Sequence, residues 1–259
     1  MKNKVSKPQG NFAKVFDSLE AFIDDVTTKD YEFQRSRDTD DPEWFGSENF
    51  EESLKNAREG EDLGKLETAI TKRENLHALI VDGVYEVSGA HVDIGRYLEG
   101  VPECMIDYQL YENVRFAEIN LNITESCSTD HIVFFNKAVA CSTMIDELEN
   151  NGYRVKLNVI GCIQIDGREV AAIVNVKQFA QKLSIAQMTG CLSKGFFRRL
   201  FFAFIEKYTS CPWDKAYGRP SSYKGPLVDG VTLQNTGGQL HTQAQVDSYI
   251  ATALAKIKD

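Results

Sequence analysis

The sequence predicts an α/β fold, a partly parallel sheet flanked by helices, and three neighbouring stretches carry that prediction. Residues 115–123 read as a strand, with Phe116, Ile119, Leu121 and Ile123 apolar and Asn120 and Asn122 between them. A helical stretch over 131–149 ends at Asn150-Asn151-Gly152, where glycine can take the left-handed conformation that stops helices. Tyr153, Val155, Leu157 and Val159 then alternate as a second strand. Strand, helix, strand at this spacing is a βαβ unit, whose crossover is right-handed and joins parallel strands. Beyond it, residues 163–165 and 170–176 flank Asp166-Gly167, the dipeptide of a tight hairpin.

The other elements follow in chain order. Residues 1–13 form a basic arm. An acidic helical segment spans 14–75, opening with Val15, Phe16, Leu19, Phe22, Ile23 and Val26 at the three-and-four spacing of an amphipathic helix. Residues 29–48 are polar, contain Pro42 and read as a loop. Helices are expected near 50–59, with Gly60 as a stop, and near 63–74. The α/β core covers 76–208. Within it, 78–87 is strand-like around Asp82-Gly83, and 91–100 suits one short helix before Pro102.

Thr124-Glu125-Ser126-Cys127-Ser128-Thr129-Asp130 supplies turn and cap chemistry, so Ser126 and Ser128 are expected to cap the helix that follows. Two more helices are predicted near 178–190 and 194–208. The second has Phe197, Leu200, Phe201, Phe204, Ile205 and Tyr208 on one face. Residues 209–259 form a C-terminal loop and helix. A Gly/Pro/Ser-rich stretch over 209–242 leads to a helix at 243–257 striped by Val246, Tyr249, Ile250, Ala253, Leu254 and Ile257. A stripe carried on so long an arm suits exchange between subunits, so a homo-oligomer is expected.

With 259 residues, 42% of them apolar, the chain can bury a real core, and wholesale disorder is excluded. The opening MKNKVSKPQGNF has no apolar leader, and no stretch approaches the roughly 18 to 20 apolar residues that span a bilayer. The cysteines, at 104, 127, 141, 162, 191 and 211, include no close pair, which excludes CxxC zinc and redox motifs. A soluble protein of a reducing cytoplasm is expected.

Enzyme chemistry finds little support. His77, His91, His131 and His241 sit in unrelated contexts, and Cys127 with His131 alone cannot fill a tetrahedral metal site. There is no GxSxG elbow, no phosphate loop and no GxGxxG fingerprint, and Gly237-Gly238 reads as loop flexibility. Neither catalysis nor a cofactor is expected.

Charge is more informative. The formal net charge of −9 argues against nucleic acid, but its distribution is uneven. Residues 17–62 hold sixteen acids and five bases, whereas 177–224 hold nine bases and two acids. Bases interleave with aromatics there, as single-stranded nucleic acid would require: cations neutralise phosphates while flat rings stack on bases. The candidates are Lys194, Arg198, Arg199, Lys215, Arg219 and Lys224 for phosphates, with Trp213, Tyr217 and Tyr223 as stacking platforms. Lys2, Lys4 and Lys7 of the arm would add a mobile clamp.

Two stretches carry a family resemblance. They are Trp44-Phe45-Gly46-Ser47-Glu48-Asn49-Phe50-Glu51-Glu52-Ser53-Leu54 with Ala57-Arg58-Glu59-Gly60, and Val92-Asp93-Ile94-Gly95-Arg96-Tyr97-Leu98-Glu99-Gly100-Val101-Pro102-Glu103-Cys104-Met105. Over roughly residues 44–208 the chain resembles a family of tailed-phage proteins with a divergent von Willebrand factor A-like core. It also resembles the single-stranded-DNA-binding RNA polymerase cofactors of schitoviruses. The resemblance implies a DNA-binding transcription cofactor, with replication as a further role, in the cytoplasm of an infected bacterium. The alternative is a metal-independent interaction module on the same fold without DNA binding. The family's metal motif, Asp-x-Ser-x-Ser, corresponds to Thr124-Glu125-Ser126-Cys127-Ser128, which keeps both serines but has threonine for the aspartate. A hard cation needs that charge, so no metal is expected.

Overall fold

The computed structural model describes residues 10–28, 34–61, 64–65, 68–69, 84–87, 91–107, 115–209, 217–225, 230–233 and 240–258. Its elements are β1 (Phe12–Phe16), α1 (Leu19–Thr27), α2 (Arg35–Asp38), α3 (Pro42–Phe45), α4 (Phe50–Glu59), β2 (Val84–Glu86), β3 (His91–Val92), α5 (Ile94–Leu98) and β4 (Met105–Asp107). There follow β5 (Arg115–Asn122), α6 (His131–Asn150), β6 (Tyr153–Ile165), β7 (Arg168–Lys177) and α7 (Ile185–Cys191). A π-helix (Phe196–Phe201) then runs into α8 (Phe202–Tyr208), before β8 (Arg219–Pro220), β9 (Val231–Leu233) and α9 (Gln243–Lys258).

The expected βαβ unit is present: β5 and β6 are parallel, from Arg115 opposite Tyr153 to Asn122 opposite Ile160, and α6 connects them. The hairpin is present too, with Asp166 and Gly167 both at positive φ, as a two-residue turn between twisted strands requires. The main sheet has the order β1-β7-β6-β5-β9, and β8 pairs with β6. Its β1/β7, β5/β6 and β5/β9 pairs are parallel, whereas β6/β7 and β6/β8 are antiparallel. The fold is therefore α/β, with a mixed, mostly parallel sheet flanked by helices. A separate antiparallel sheet has the order β2-β4-β3.

Alternation along the strands decides where the core sits. Ala117, Ile119, Leu121, Val155, Leu157, Val159, Val170, Ala172 and Val174 share one large cluster with apolar residues of α1, α4, α6, α8 and α9. Ile160, Cys162, Ala171 and Ile173 form a smaller cluster with Tyr223. Two glycines permit close approach within the large core. A methyl group at Gly161 would stand 2.4 Å from the Phe201 ring, and one at Gly190 would stand 2.2 Å from the Asn56 carbonyl of α4.

Several expectations need correction. Val15 and Phe16 belong to a strand, because residues 12–16 find a parallel partner in 170–174 of β7 and backbone pairing overrides the helical spacing. The helix starts only at Leu19, where the Ser18 hydroxyl accepts from the Ala21 amide at 3.1 Å. The expected loop over 29–48 contains α2 and α3. The latter is capped by Asp41, opened by Pro42 and ended by left-handed Gly46. Residues 91–92 are strand, and the helix there begins after Asp93. Of 178–190 only the end is helical, starting after its cap Ser184. The helix expected near 63–74 lies largely outside the described residues, as do residues 1–9 of the arm.

The stretch 209–242 is not wholly irregular, since it contributes β8 and β9 to the sheet. Helix α9 folds back onto α6, burying Val246, Ile250, Ala253 and Leu254 in the chain's own core. The side-chain amide of Asn136 fixes the approach by donating to the Leu240 carbonyl at 2.7 Å. The apolar stripe expected to seek another subunit is covered here by the chain's own core. Among the described residues, no helix is long and apolar enough to cross a membrane.

Asp25 ties β1, α1 and α8 together. Its carboxylate accepts from Lys14 Nζ at 2.8 Å, Lys207 Nζ at 3.1 Å and the Tyr208 hydroxyl at 2.9 Å. Burial alone would raise the Asp25 pKa, but these bonds outweigh it and hold the group below its ordinary value of 3.8. A depressed carboxyl contributes stability that is complete above the unfolded pKa and is lost as pH falls through the folded one. The stability difference between wild type and Asp25→Asn should therefore be constant near neutrality and shrink below about pH 3.8, as followed by urea unfolding at stepped pH. In the same assay at neutral pH, Gly190→Ala should lose about 1–3 kcal/mol by overpacking, whereas Gly10→Ala, which meets open space, should change little.

Candidate nucleic-acid interface

The sequence predicts that the basic region faces phosphates. Its two central arginines face inward instead. Arg198 and Arg199 lie in the π-helix at 1% and 0% exposure. The Arg198 guanidinium donates to the carbonyl of Trp44 and to those of Ser126 at 3.2 Å and Cys127 at 2.8 Å. That of Arg199 donates to the carbonyls of Ser36 and Thr39, both at 2.9 Å, and of Ser47 at 3.2 Å and Glu48 at 3.3 Å. Each guanidinium also lies over a ring, Trp44 at 4.9 Å for Arg198 and Phe45 at 4.0 Å for Arg199. Burial lowers the pKa of both, yet an arginine keeps its charge in any case.

Neighbouring bases behave alike. Lys194 is half-buried, donates to the Glu43 carbonyl at 2.6 Å and has its pKa lowered chiefly by burial. Lys207 reaches the Asp25 carbonyl at 2.8 Å as well as its carboxylate. Four bases of the basic stretch, Lys194, Arg198, Arg199 and Lys207, thus dock on the acidic N-terminal segment, chiefly on its backbone carbonyls.

Two of the expected stacking platforms, Tyr217 and Tyr223, are covered too. Tyr217 stacks on Phe202 at 3.9 Å between centroids, and Trp44 and Arg35 also approach its ring. Its hydroxyl donates to Glu206, which also accepts from the Ser36 amide at 2.8 Å and hydroxyl at 2.7 Å. Tyr223 is buried in the smaller cluster. Arg219 and Lys224 remain exposed, whereas Trp213, Lys215, Lys2, Lys4 and Lys7 lie outside the described residues.

The turn after β5 does not suit a metal. The Thr124 amide and hydroxyl both donate to the Asn122 side chain. Glu125 is bound in a fully buried ion pair with Lys137, whose Nζ also donates to the Asn122 carbonyl at 3.2 Å. Burial lowers the Lys137 pKa despite that partner. The Ser126 and Ser128 hydroxyls are exposed and 3.3 Å apart. They do not cap α6, whose cap position is Asp130, without a side-chain cap bond. The carbonyls of Ser126 and Cys127 already serve the Arg198 guanidinium. Among the described residues, no group of three or more His, Cys, Asp or Glu side chains is placed to hold a metal.

An exposed basic and aromatic cluster does exist, at the amino ends of β5 and β6. Phe116 is 66% exposed and meets the Phe179 ring edge-on at 5.2 Å. Exposed Arg154 stands opposite Phe116 in the β5/β6 register. Exposed Arg115, on the other face of β5, lies 5.6 Å over the Tyr153 ring. Below them Lys156 pairs with Glu118 at 3.1 Å. Asn158 then begins a polar ladder, bonding to Glu118 and Asn120 and accepting from Asn175. The signal for this cluster is in the sequence: Phe116 stands three residues before Ile119, and an odd spacing puts it on the opposite face of a strand.

If Arg199 is structural, replacing it unfolds rather than silences. Arg199→Met would leave four carbonyls without their donor and should lower stability by about 3 kcal/mol or more. Arg219→Ala, at an exposed position, should change it by less than about 0.5 kcal/mol. Urea midpoints of the two variants decide this.

A family model described as a domain of unknown function (DUF7192) matches residues 3–250. No curated protein and no solved structure matches the chain.

Proposed function

We propose that this chain, which belongs to the DUF7192 family, binds single-stranded DNA through the amino end of its central strands. The observation that carries this reading is the exposed Phe116 ring, edged by Phe179 and with exposed Arg154 opposite it in the β5/β6 register. The ring offers a stacking face and the Arg154 guanidinium offers phosphate neutralisation, the two parts of single-strand recognition. Asp17, Glu20, Asp24, Glu43, Glu51 and Glu59 are exposed on the N-terminal helical segment and would turn a polyanion away from that side.

The role we assign is that of a cofactor of a phage RNA polymerase in transcription, following the resemblance of residues 44–60 and 92–105 to the tailed-phage family. The sheet-edge turn at residues 124–128, placed after the first strand of the βαβ unit, supports a divergent von Willebrand A-like core that has given up its metal.

Fluorescence anisotropy with labelled oligothymidine and a matched duplex, at two salt concentrations, tests the binding. Single strands should be preferred, with affinity falling as salt rises. Phe116→Ala should weaken binding by about 1–3 kcal/mol and leave the salt slope unchanged. Arg154→Ala should reduce the slope by about 0.7 for each phosphate it ceases to neutralise. Wild-type affinity and slope in both variants would remove the site. No single-strand affinity at low salt would favour a metal-independent protein-interaction module instead.

A further inference from the structure

Residues 84–87 and 91–107 include the small sheet β2-β4-β3, with α5 between β3 and β4. Of the nine large apolar side chains exposed among the described residues, six belong to this unit: Tyr85, Val87, Val92, Ile94, Tyr97 and Leu98. Leu98 is 78% and Ile94 70% exposed, and none of the residues of α5 is buried. Ile94, Tyr97 and Leu98 stand at i, i+3 and i+4 on one face of α5, and an exposed apolar helix face of this kind marks an interaction site.

The unit is not merely a frayed excursion, because polar ties fix its shape. Asp93 accepts from the Arg96 amide at 3.1 Å, which caps α5, and from the Tyr85 hydroxyl at 3.2 Å. Those bonds outweigh a small burial effect and hold the Asp93 carboxyl below its ordinary value. The Arg96 guanidinium lies 4.0 Å over the Tyr85 ring. The Asp93 amide donates to the Cys104 carbonyl at 2.8 Å, and the Val101 amide to that of Arg96 at 3.0 Å. The backbone is held from within while the apolar side chains point out.

Charge selects the occupant. Residues 84–107 contain Glu86, Asp93, Glu99, Glu103 and Asp107 against one base, Arg96, whose guanidinium is already stacked. Two such surfaces would repel one another, so a second copy of this chain is disfavoured. We propose that this surface docks a partner protein through a basic segment that also carries apolar side chains. Its apolar groups would cover Ile94, Tyr97 and Leu98 while its cations meet Glu99 and Glu103. This surface shares no residue with the Phe116 cluster, and either proposal can fail without the other.

The test uses the full chain and a labelled peptide of alternating leucine and lysine, followed by anisotropy. Saturable binding is expected, weakened at least tenfold by Ile94→Ser with Leu98→Ser and also by Glu99→Lys with Glu103→Lys. All these positions are exposed, so thermal unfolding and oligothymidine binding should stay at wild-type values. Equal binding of a serine-lysine peptide would reduce the effect to plain electrostatics and overturn the proposal. So would equal binding by the Ile94/Leu98 variant. Concentration-dependent dimerisation lost in that variant would name a second copy as the occupant and overturn it as well.

Discussion

Two guanidinium groups in the interior hold the halves of this protein together. Arg198 and Arg199 are consecutive, so they diverge from the helix axis and reach different segments. One reaches Trp44 and the turn after β5, the other the backbone of residues 36–48. Their direct hydrogen-bond partners are carbonyl dipoles rather than carboxylates. A buried charge is costly unless several such groups surround it. The converse is that α2, α3 and the chain between them have few reasons of their own to adopt their path. Helices of four residues are far below the length that sustains itself in water. The π-helix supplies the donors, and the N-terminal segment supplies the acceptors.

The same complementarity explains why Lys194, Arg198, Arg199 and Lys207 do not form an exposed basic face. A run of bases in a sequence says that something negative or polar must lie opposite. It does not say whether that is a solvated phosphate or the protein's own backbone. Here Lys194, Arg198, Arg199 and Lys207 all end on the segment between Asp25 and Glu48, or on the sheet edge. Tyr217 misleads for a related reason. Its loop is polar, but its ring completes an aromatic layer with Phe202 and Trp44, which come from remote parts of the chain.

Much of the central architecture is legible in the sequence because its determinants are local. Alternation, the Asn-Asn-Gly stop and the Asp-Gly turn fix β5, α6, β6 and β7 without reference to anything distant. What pairs at long range is not legible. Val15 and Phe16 carry a helical spacing but lie in a strand, because the free edge of β7 recruits them. The stripe on α9 marks a face that must be covered, yet periodicity cannot name the surface it meets, and α6 of the same chain provides it. Phe116 is readable from its odd spacing to Ile119 once strand faces are assigned residue by residue.

The edge position of β1 has a consequence for biosynthesis. Phe12 pairs with Val170, so the strand that closes the sheet emerges roughly 160 residues before its partner. At about 5–20 residues per second, it waits on the order of ten seconds or more on the ribosome. The arginines that will organise the neighbouring segment appear later still. During that interval the N-terminal segment is an unpaired polyelectrolyte whose like charges resist collapse. Its acidity would keep an orphaned strand and helix from associating before the basic helix arrives to claim them.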